Sequence, residues 1–238
     1  MGEVLALVES RLRTALGEPD ARASVTFLGT DRIEVLRFFA PDGPGSVGGP
    51  EVPDGPDGAG GPGGSEAPGG PGAAHGTGAG AGRGAGLVRY ATLGMSAHPM
   101  TDPTAPHADP LRGPRAELVL SVRAGLADTG KVLRTLAVLA ASPQVEGVVV
   151  APGAALDVGG PLWPGAPFTA VLVAEPGGLV PDLELDAPRD PVRFLPLLPM
   201  TPNEAAWKRV HGAQRLQERW LAEGTDLRDP GRGSVRLA

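Results

Sequence analysis

The chain contains no cysteine, which removes disulfide frameworks, thiolate zinc sites, iron–sulfur clusters and cysteine nucleophiles together. Aromatic residues make up only 4% of it, so a core must be built mainly from Leu, Val and Ala, with few large anchors. Lysine occurs only at Lys131 and Lys208, and no Lys/Arg stripe is present, so the focused positive potential of a nucleic-acid footprint is missing. No segment reaches the roughly 18 uninterrupted apolar residues that a spanning helix needs. The N-terminal run MGEVLALVESRLRTALGEP carries Glu3 where a secretory leader would be basic. The expectation is a soluble cytoplasmic protein with neither a nucleic-acid nor a membrane partner.

What the chain has in excess is Gly and Pro, 37 and 27 residues of 238, a level that signals low complexity somewhere. The excess is concentrated between Pro41 and Gly86, where five acids (Asp42, Glu51, Asp54, Asp57, Glu66) face one base, Arg83. Most of the formal charge of -6 therefore sits in this tract, and the remainder is near neutral. So few apolar side chains cannot offset the ordering entropy, and disorder is expected for 41–86. The collagen-like triplets from Gly55 break after about four turns, too few for a lasting triple helix. The G-x-G-x-x-G matches at Gly58 and Gly43 lead into no helix, so the phosphate-cradling geometry is absent.

Outside the tract the hydrophobic pattern is regular. Val4, Leu5, Val8, Leu12, Ala15 and Leu16 form one helical stripe that stops at Gly17 and Pro19. ASVTFLGT and IEVLRFFA alternate about a turn at Gly29–Asp31 and predict a β-hairpin. GLVRYATLGMS predicts a strand with Leu87, Arg89, Ala91 and Leu93 on one face and Val88, Tyr90 and Thr92 on the other. A proline-punctuated loop follows, then RAELVLSVRAG as a strand. A second helix starts at an Asp128 or Thr129 cap and ends at Pro143. FTAVLVAE is a strand, and PVRFLPLLPMT is an extended run whose Pro196 suggests an edge or irregular strand. A single last helix has a capping box of Thr201, Pro202 and Glu204, an apolar face of Trp207, Val210, Ala213, Leu216 and Trp220, and its end at Gly224. The fold class is α+β, with helices packed on a mixed, mainly antiparallel sheet. The organisation is 1–40 and 87–224 as one domain, 41–86 as an insert, and 225–238 as a flexible tail.

RYATLGMSAHPMTD, residues 89–102, gathers several side chains that can carry chemistry. Ser96 lies in G-M-S-A-H without the closing glycine of a nucleophile elbow, and Pro99 and Pro103 hold His98 and Asp102 on an extended loop. His98, Asp102, His107 and Asp109 share that loop, but no paired helical spacing organises them as metal ligands. His75 falls in the tract, and His211 lies on the last helix. Trp163, Trp207 and Trp220 read as packing anchors, and Glu184 and Asp186 as a solvated acidic face. No catalytic residue, metal or cofactor is expected.

FLGT, YATLGMSAHPM after the insert, RAELVLSV, a helix, VGGPLWPGAPFTAVLVAEP and VRFLPLLPMTPNEAAWKRVHGAQRLQE stand in an order that resembles a bacterial member of the Suppressor of fused (SUFU-like) domain family. The resemblance spans nearly all of the chain outside the tract. It departs in the tract itself, where a short connection is expected, and at Gly130-Lys131, where an aromatic is expected. It implies one α/β domain that binds proteins and has no established catalytic activity. Animal members hold a transcription factor through an extended peptide added as a strand. Bacterial members resemble immunity proteins or accessory modules of toxin systems. By resemblance, Tyr90 and Asp102 match partner-gripping positions; read from the residues, Tyr90 faces the core and Asp102 caps the turn before Pro103. The strand at 87–95, flanked by glycines and a proline loop, is a candidate edge for β-augmentation. The resulting expectation is a non-enzymatic domain that sequesters a protein partner, either an extended peptide or a toxin domain. The alternatives are a hydrolase or metal enzyme using the 96–109 loop, and a homo-oligomeric scaffold.

Overall fold

The computed structural model of the chain describes residues 2–27, 31–41, 86–101, 104, 109–125 and 130–237. Among these residues the helices are α1 (Gly2–Leu16), α2 (Gly130–Glu146), α3 (Pro202–His211) and α4 (Ala213–Ala222). The strands are β1 (Ala21–Thr26), β2 (Arg32–Pro41), β3 (Gly86–Leu93), β4 (Arg115–Arg123), β5 (Ala155–Asp157), β6 (Ala170–Val173) and β7 (Val192–Met200). They form one sheet in the order β1-β2-β3-β4-β7-β6-β5. Only β4 and β7 pair in parallel; the other ladders are antiparallel. The α+β class read from the sequence is the one observed.

Both faces of the sheet are covered, which is why β4 is buried along nearly all of its length. On one face α2 packs Val132, Leu136 and Ala140 over Ile33, Val35, Tyr90, Leu118, Leu120 and Leu197. On the other, α1 lays Val4, Val8 and Leu12 over Leu36, Phe38, Ala91, Val119 and Phe194. That face is shared with α3 and α4, whose Ala205, Leu216 and Trp220 cover Ala170, Leu172 and Met200. The first helix ends as expected: Gly17 takes a positive φ of 90° and its N–H donates to the Arg13 carbonyl.

The predicted hairpin is present as β1 paired to β2; Gly29 and Thr30 of its turn lie outside the described residues. So do Asp128 and Thr129, and so does most of the tract expected to be disordered, residues 42–85. The tract's two end residues, Pro41 and Gly86, pair with each other as the last rung of the β2–β3 ladder.

Four expectations are corrected. α2 does not stop at Pro143 but runs through it to Glu146. Proline removes the donor to the Leu139 carbonyl, and the Ser142 hydroxyl donates to that carbonyl at 2.7 Å in its place. β7 is no edge, since β4 and β6 pair with its two sides. Its prolines fall where the ladders end. Pro196 lies one residue past the last β6 rung, its carbonyl accepting from Ala174, and Pro199 lies past the last β4 rung, its carbonyl accepting from Arg232. The single last helix is two, broken at Gly212 with φ 88°, so that Val210, expected on the apolar face, is 79% exposed.

The fourth correction concerns residues 225–238, expected as a flexible tail. Arg232 and Val235 are buried. Arg232 donates to Glu204 Oε1 at 2.7 Å and to Oε2 at 3.0 Å, and its guanidinium lies 5.0 Å from the Phe168 ring centre and 5.4 Å from that of Trp220. Asp226 pairs with Arg123 of β4, and the Arg123 N–H donates to the Arg228 carbonyl. Partial burial raises the Asp226 carboxyl, but bonds from Arg228 and Arg123 outweigh it and lower the pKa to about 2.

For Glu204, burial raises the pKa, and bonds from Arg232, Trp220 and the Thr201 backbone outweigh it, leaving the group below its ordinary 4.5. A depressed folded pKa means the stabilisation is complete above the ordinary glutamate value and is lost as pH falls through the folded one. Replacing Arg232 by Met leaves a buried carboxylate unpaired and is expected to cost about 3 kcal/mol or more at neutral pH. Urea denaturation at pH 7 and across the acid range checks this: the loss should be largest at pH 7 and shrink as Glu204 protonates.

Candidate partner-binding cleft

The residues LGMS leave β3 through Gly94, whose φ is 130°. A Cβ there would lie 2.8 Å from the Arg32 carbonyl oxygen, so glycine is required by both backbone conformation and space. The next residues, Met95–Ala97, form one 3₁₀ turn, held from two sides by β4. The buried Glu117 carboxylate accepts from Gly94 N–H (2.9 Å), Ser96 N–H (3.0 Å), the Ser96 hydroxyl (2.6 Å) and the Thr92 hydroxyl (2.6 Å). The Arg115 guanidinium donates to the carbonyls of Ser96 and Ala97 at 2.8 and 2.9 Å. The β3–β4 ladder ends at Ala91 and Val119. Beyond it the Thr92 hydroxyl accepts from Leu118 N–H at 2.8 Å, replacing the ladder bond. Burial pushes the Glu117 pKa up against the pull of these donors, and no ion pair to it exists among the described residues.

The clamp engages Ser96, one of the residues weighed for catalysis. Ser96 is fully buried on Glu117, while His98 lies at the surface with Nε2 2.7 Å from Asp31 Oδ2, so the two do not meet. Asp109 Oδ1 accepts from the N–H groups of Leu111 and Arg112, which lower its pKa. Among the described residues no group of three or more His, Cys, Asp or Glu could hold a metal; His107 lies outside them. Trp163 and Trp220 are core anchors, Trp163 edge-on to Phe168, whereas Trp207 stays half-buried on α3.

Tyr90 is fully buried on the α2 side of β3, between Arg37 of β2 and Leu120 of β4. It lines a cleft of about 160 Å³ with Asp20, Arg37, Phe39, Val88, Val122 and Arg123. Arg37 binds Asp20 through two bonds of 2.9 Å, and Phe39 is 47% exposed at the rim. The Tyr90 hydroxyl is buried and has no hydrogen-bond partner among the described residues. Burial raises its pKa to about 12, with Arg37 pulling down and Asp20 pushing up. Asp102, the other candidate, lies outside the described residues.

The expected role of 87–95 as a docking edge is corrected. β3 pairs with β2 over its full length and with β4 over five rungs, so it has no open side for another strand. The glycines and prolines flank its ends, and end composition carries no information about lateral neighbours. The outermost strands are β1 and β5, and β1 begins one residue after Asp20 of the cleft. On the sheet's other face a second, apolar depression of about 120 Å³ runs over β4 and β7, lined by Val119, Phe194, Leu198 and Leu227. Glu117, Arg115 and the Asp20–Arg37 pair were not singled out from the sequence. The available signal was an acid alternating with apolar residues in RAELVLSV, flanked by a base two residues earlier.

The described residues form an α+β domain: a seven-stranded mixed sheet with helices on both faces, a buried polar clamp and an open cleft. A family model described as Suppressor of fused protein (SUFU) matches residues 77–233, well over half of the chain, and the chain belongs to that family. Among curated proteins, none matches. Solved structures share the fold. A SUFU homolog from Neisseria gonorrhoeae FA 1090 superposes with a TM-score of 0.61 at 16% identity, covering 98% of this chain and 97% of that one. The Sufu–Fu complex gives 0.55 at 11% identity, with coverage of 98% and 91%. Drosophila Suppressor of Fused gives 0.53 at 12% identity, with 98% of this chain spanning 50% of that protein. At these identities the likeness concerns the fold.

Glu117→Leu strands several buried donors and is expected to cost at least about 3 kcal/mol in urea denaturation. Glu117→Gln stays within about 1 kcal/mol, because its Oε1 keeps three donors and its amide can donate to the Thr92 hydroxyl once that group turns. Tyr90 is the single tyrosine, so the ultraviolet phenolate titration of the folded protein reports it alone. Its midpoint should lie near 12 rather than 10. Because the folded pKa is raised, the associated stability is complete below 10 and falls as pH rises toward 12.

Proposed function

We propose that this chain is a non-enzymatic domain that sequesters a protein partner, and that the Tyr90 cleft is where an extended segment of that partner docks. The observation that carries the reading is the Tyr90 hydroxyl, a buried donor left without an acceptor beside an opening. Such a group costs about 1–3 kcal/mol while unsatisfied. A peptide carbonyl entering the cleft would relieve that cost. The exposed Phe39 ring supplies apolar contact, and the Asp20–Arg37 pair offers both signs of charge for orientation. The adjoining outer strand β1 could receive the partner's main chain by strand addition, the mode in which main-chain bonds give affinity and pockets give specificity.

The family supports a binding role, and one of the similar structures is itself a complex, Sufu with Fu. Occlusion of a toxin domain, an immunity-type role in the cytoplasm, is the form of sequestration we assign to a bacterial member. Asp102, which lies outside the described residues, is assigned a contact with the partner on the family resemblance alone.

Tagged protein incubated with extract of its native cell should capture one protein in stoichiometric amount, identified by mass spectrometry. A variant lacking residues 44–84 should capture it equally. Tyr90→Phe, which keeps the ring and removes the hydroxyl, and Asp102→Ala should each weaken binding about tenfold. If wild type captures no specific protein, the sequestering reading fails. If it captures one that Tyr90→Phe binds equally, the cleft is the wrong site.

A further inference from the structure

Helix α4 places Arg215, Glu218, Arg219 and Ala222 at i, i+3, i+4 and i+7, one continuous stripe. Its neighbouring face, Leu216 and Trp220, is buried against β6 and β7. Past the break at Gly212, the stripe and Trp207 line an open surface cavity of about 380 Å³. Trp207 stacks on His211 with ring centres 4.2 Å apart and 29° between planes, which holds the indole in place.

The charges of this cavity are unbalanced. Glu218 is engaged by the Gln214 side chain at 3.0 Å. Among the described residues neither the Arg215 nor the Arg219 guanidinium forms a hydrogen bond or ion pair. Two like charges four residues apart weaken a helix by a few tenths of a kcal/mol. Here they flank an aromatic ring and an alanine floor.

We propose that this cavity is a second docking site, for an acidic peptide segment of a partner protein. Carboxylates would take the two guanidinia in bidentate fashion, and an apolar side chain between them would lie on Trp207 and Ala222. The charge complementarity is local. The whole chain carries -6, so long-range electrostatics repel acidic ligands and a peptide must be held by this cavity itself. The site lies over β6 and β7, on the opposite face from Tyr90, so it stands or falls independently of the cleft.

The test uses the full chain and two labelled peptides, acetylated Glu-Leu-Glu-Glu-Leu-Glu and its Gln-for-Glu counterpart, with affinity read from anisotropy. Intrinsic emission is read in parallel; Trp163 and Trp220 are each 2% exposed, so a change in emission reports Trp207. The Glu peptide should bind saturably, alter the emission, and weaken as salt rises from roughly 0.05 to 0.5 M. Arg215→Gln with Arg219→Gln should reduce affinity at least about tenfold with the urea midpoint unchanged, and Trp207→Phe should abolish the emission change. Equal binding of the Gln peptide, undiminished binding by the double variant, or no binding of the Glu peptide overturns the proposal. So does binding of oligo-dT in place of the Glu peptide.

Discussion

The end of the sheet formed by β6 and β7 is organised around one carboxylate with no access to water. Glu204 begins its work locally, completing the capping box with Thr201 at the start of α3. Its oxygens then accept from Trp220 of α4 and from Arg232 and Val235 of the C-terminal segment. A buried charge is tolerated only when paired and fully hydrogen-bonded, so these bonds constrain one another. The helical corner, the C-terminal segment and the β7 carbonyl of Pro199 are fixed together because Arg232 must reach both Glu204 and that carbonyl. The angle between α3 and α4, and hence the cavity beside Trp207, is a consequence of that arrangement.

Glu117 solves a related problem differently. Where β3 and β4 part, several N–H and O–H donors would be buried without acceptors, and the carboxylate supplies them in place of a strand. Arg115 supplies donors for the carbonyls of the same turn. Ser96 is thereby committed to structure, as part of the turn that Glu117 and Arg115 hold. At the other end of the same strands the balance is incomplete, and the Tyr90 hydroxyl is left over. Both Glu117 oxygens are engaged at one end, where only the Arg115 Nε lacks a partner, while at the other the Tyr90 hydroxyl has none among the described residues.

Local signals were sufficient for much of the fold. The α1 stripe with its Gly17 stop, the alternation on either side of the Gly29–Asp31 turn, the RAELVLSV run of β4 and the Thr201 capping box each depend on residues within a few positions of one another, and each element appears. The misreadings share one cause. Pro143, Pro196 and the apolar spacing of Trp207 to Trp220 were judged by propensity, whereas a hydroxyl, the ends of neighbouring ladders and a glycine with positive φ decided the outcome.

The sequence by itself determined the element types, the α+β class and the family, because periodicity, caps and motif order are properties of short segments and their succession. It did not determine that β3 is interior, that residues 225–237 pack, or that Glu117 and Arg232 carry the buried polar structure. Those are matters of which distant segments meet: Glu117 lies 21 to 25 residues from the donors it satisfies, and Arg232 lies 28 from Glu204. Side-chain charge at such separations has no local pattern. Only the folded chain, by excluding water from these groups, turns them from ordinary polar residues into structural constraints.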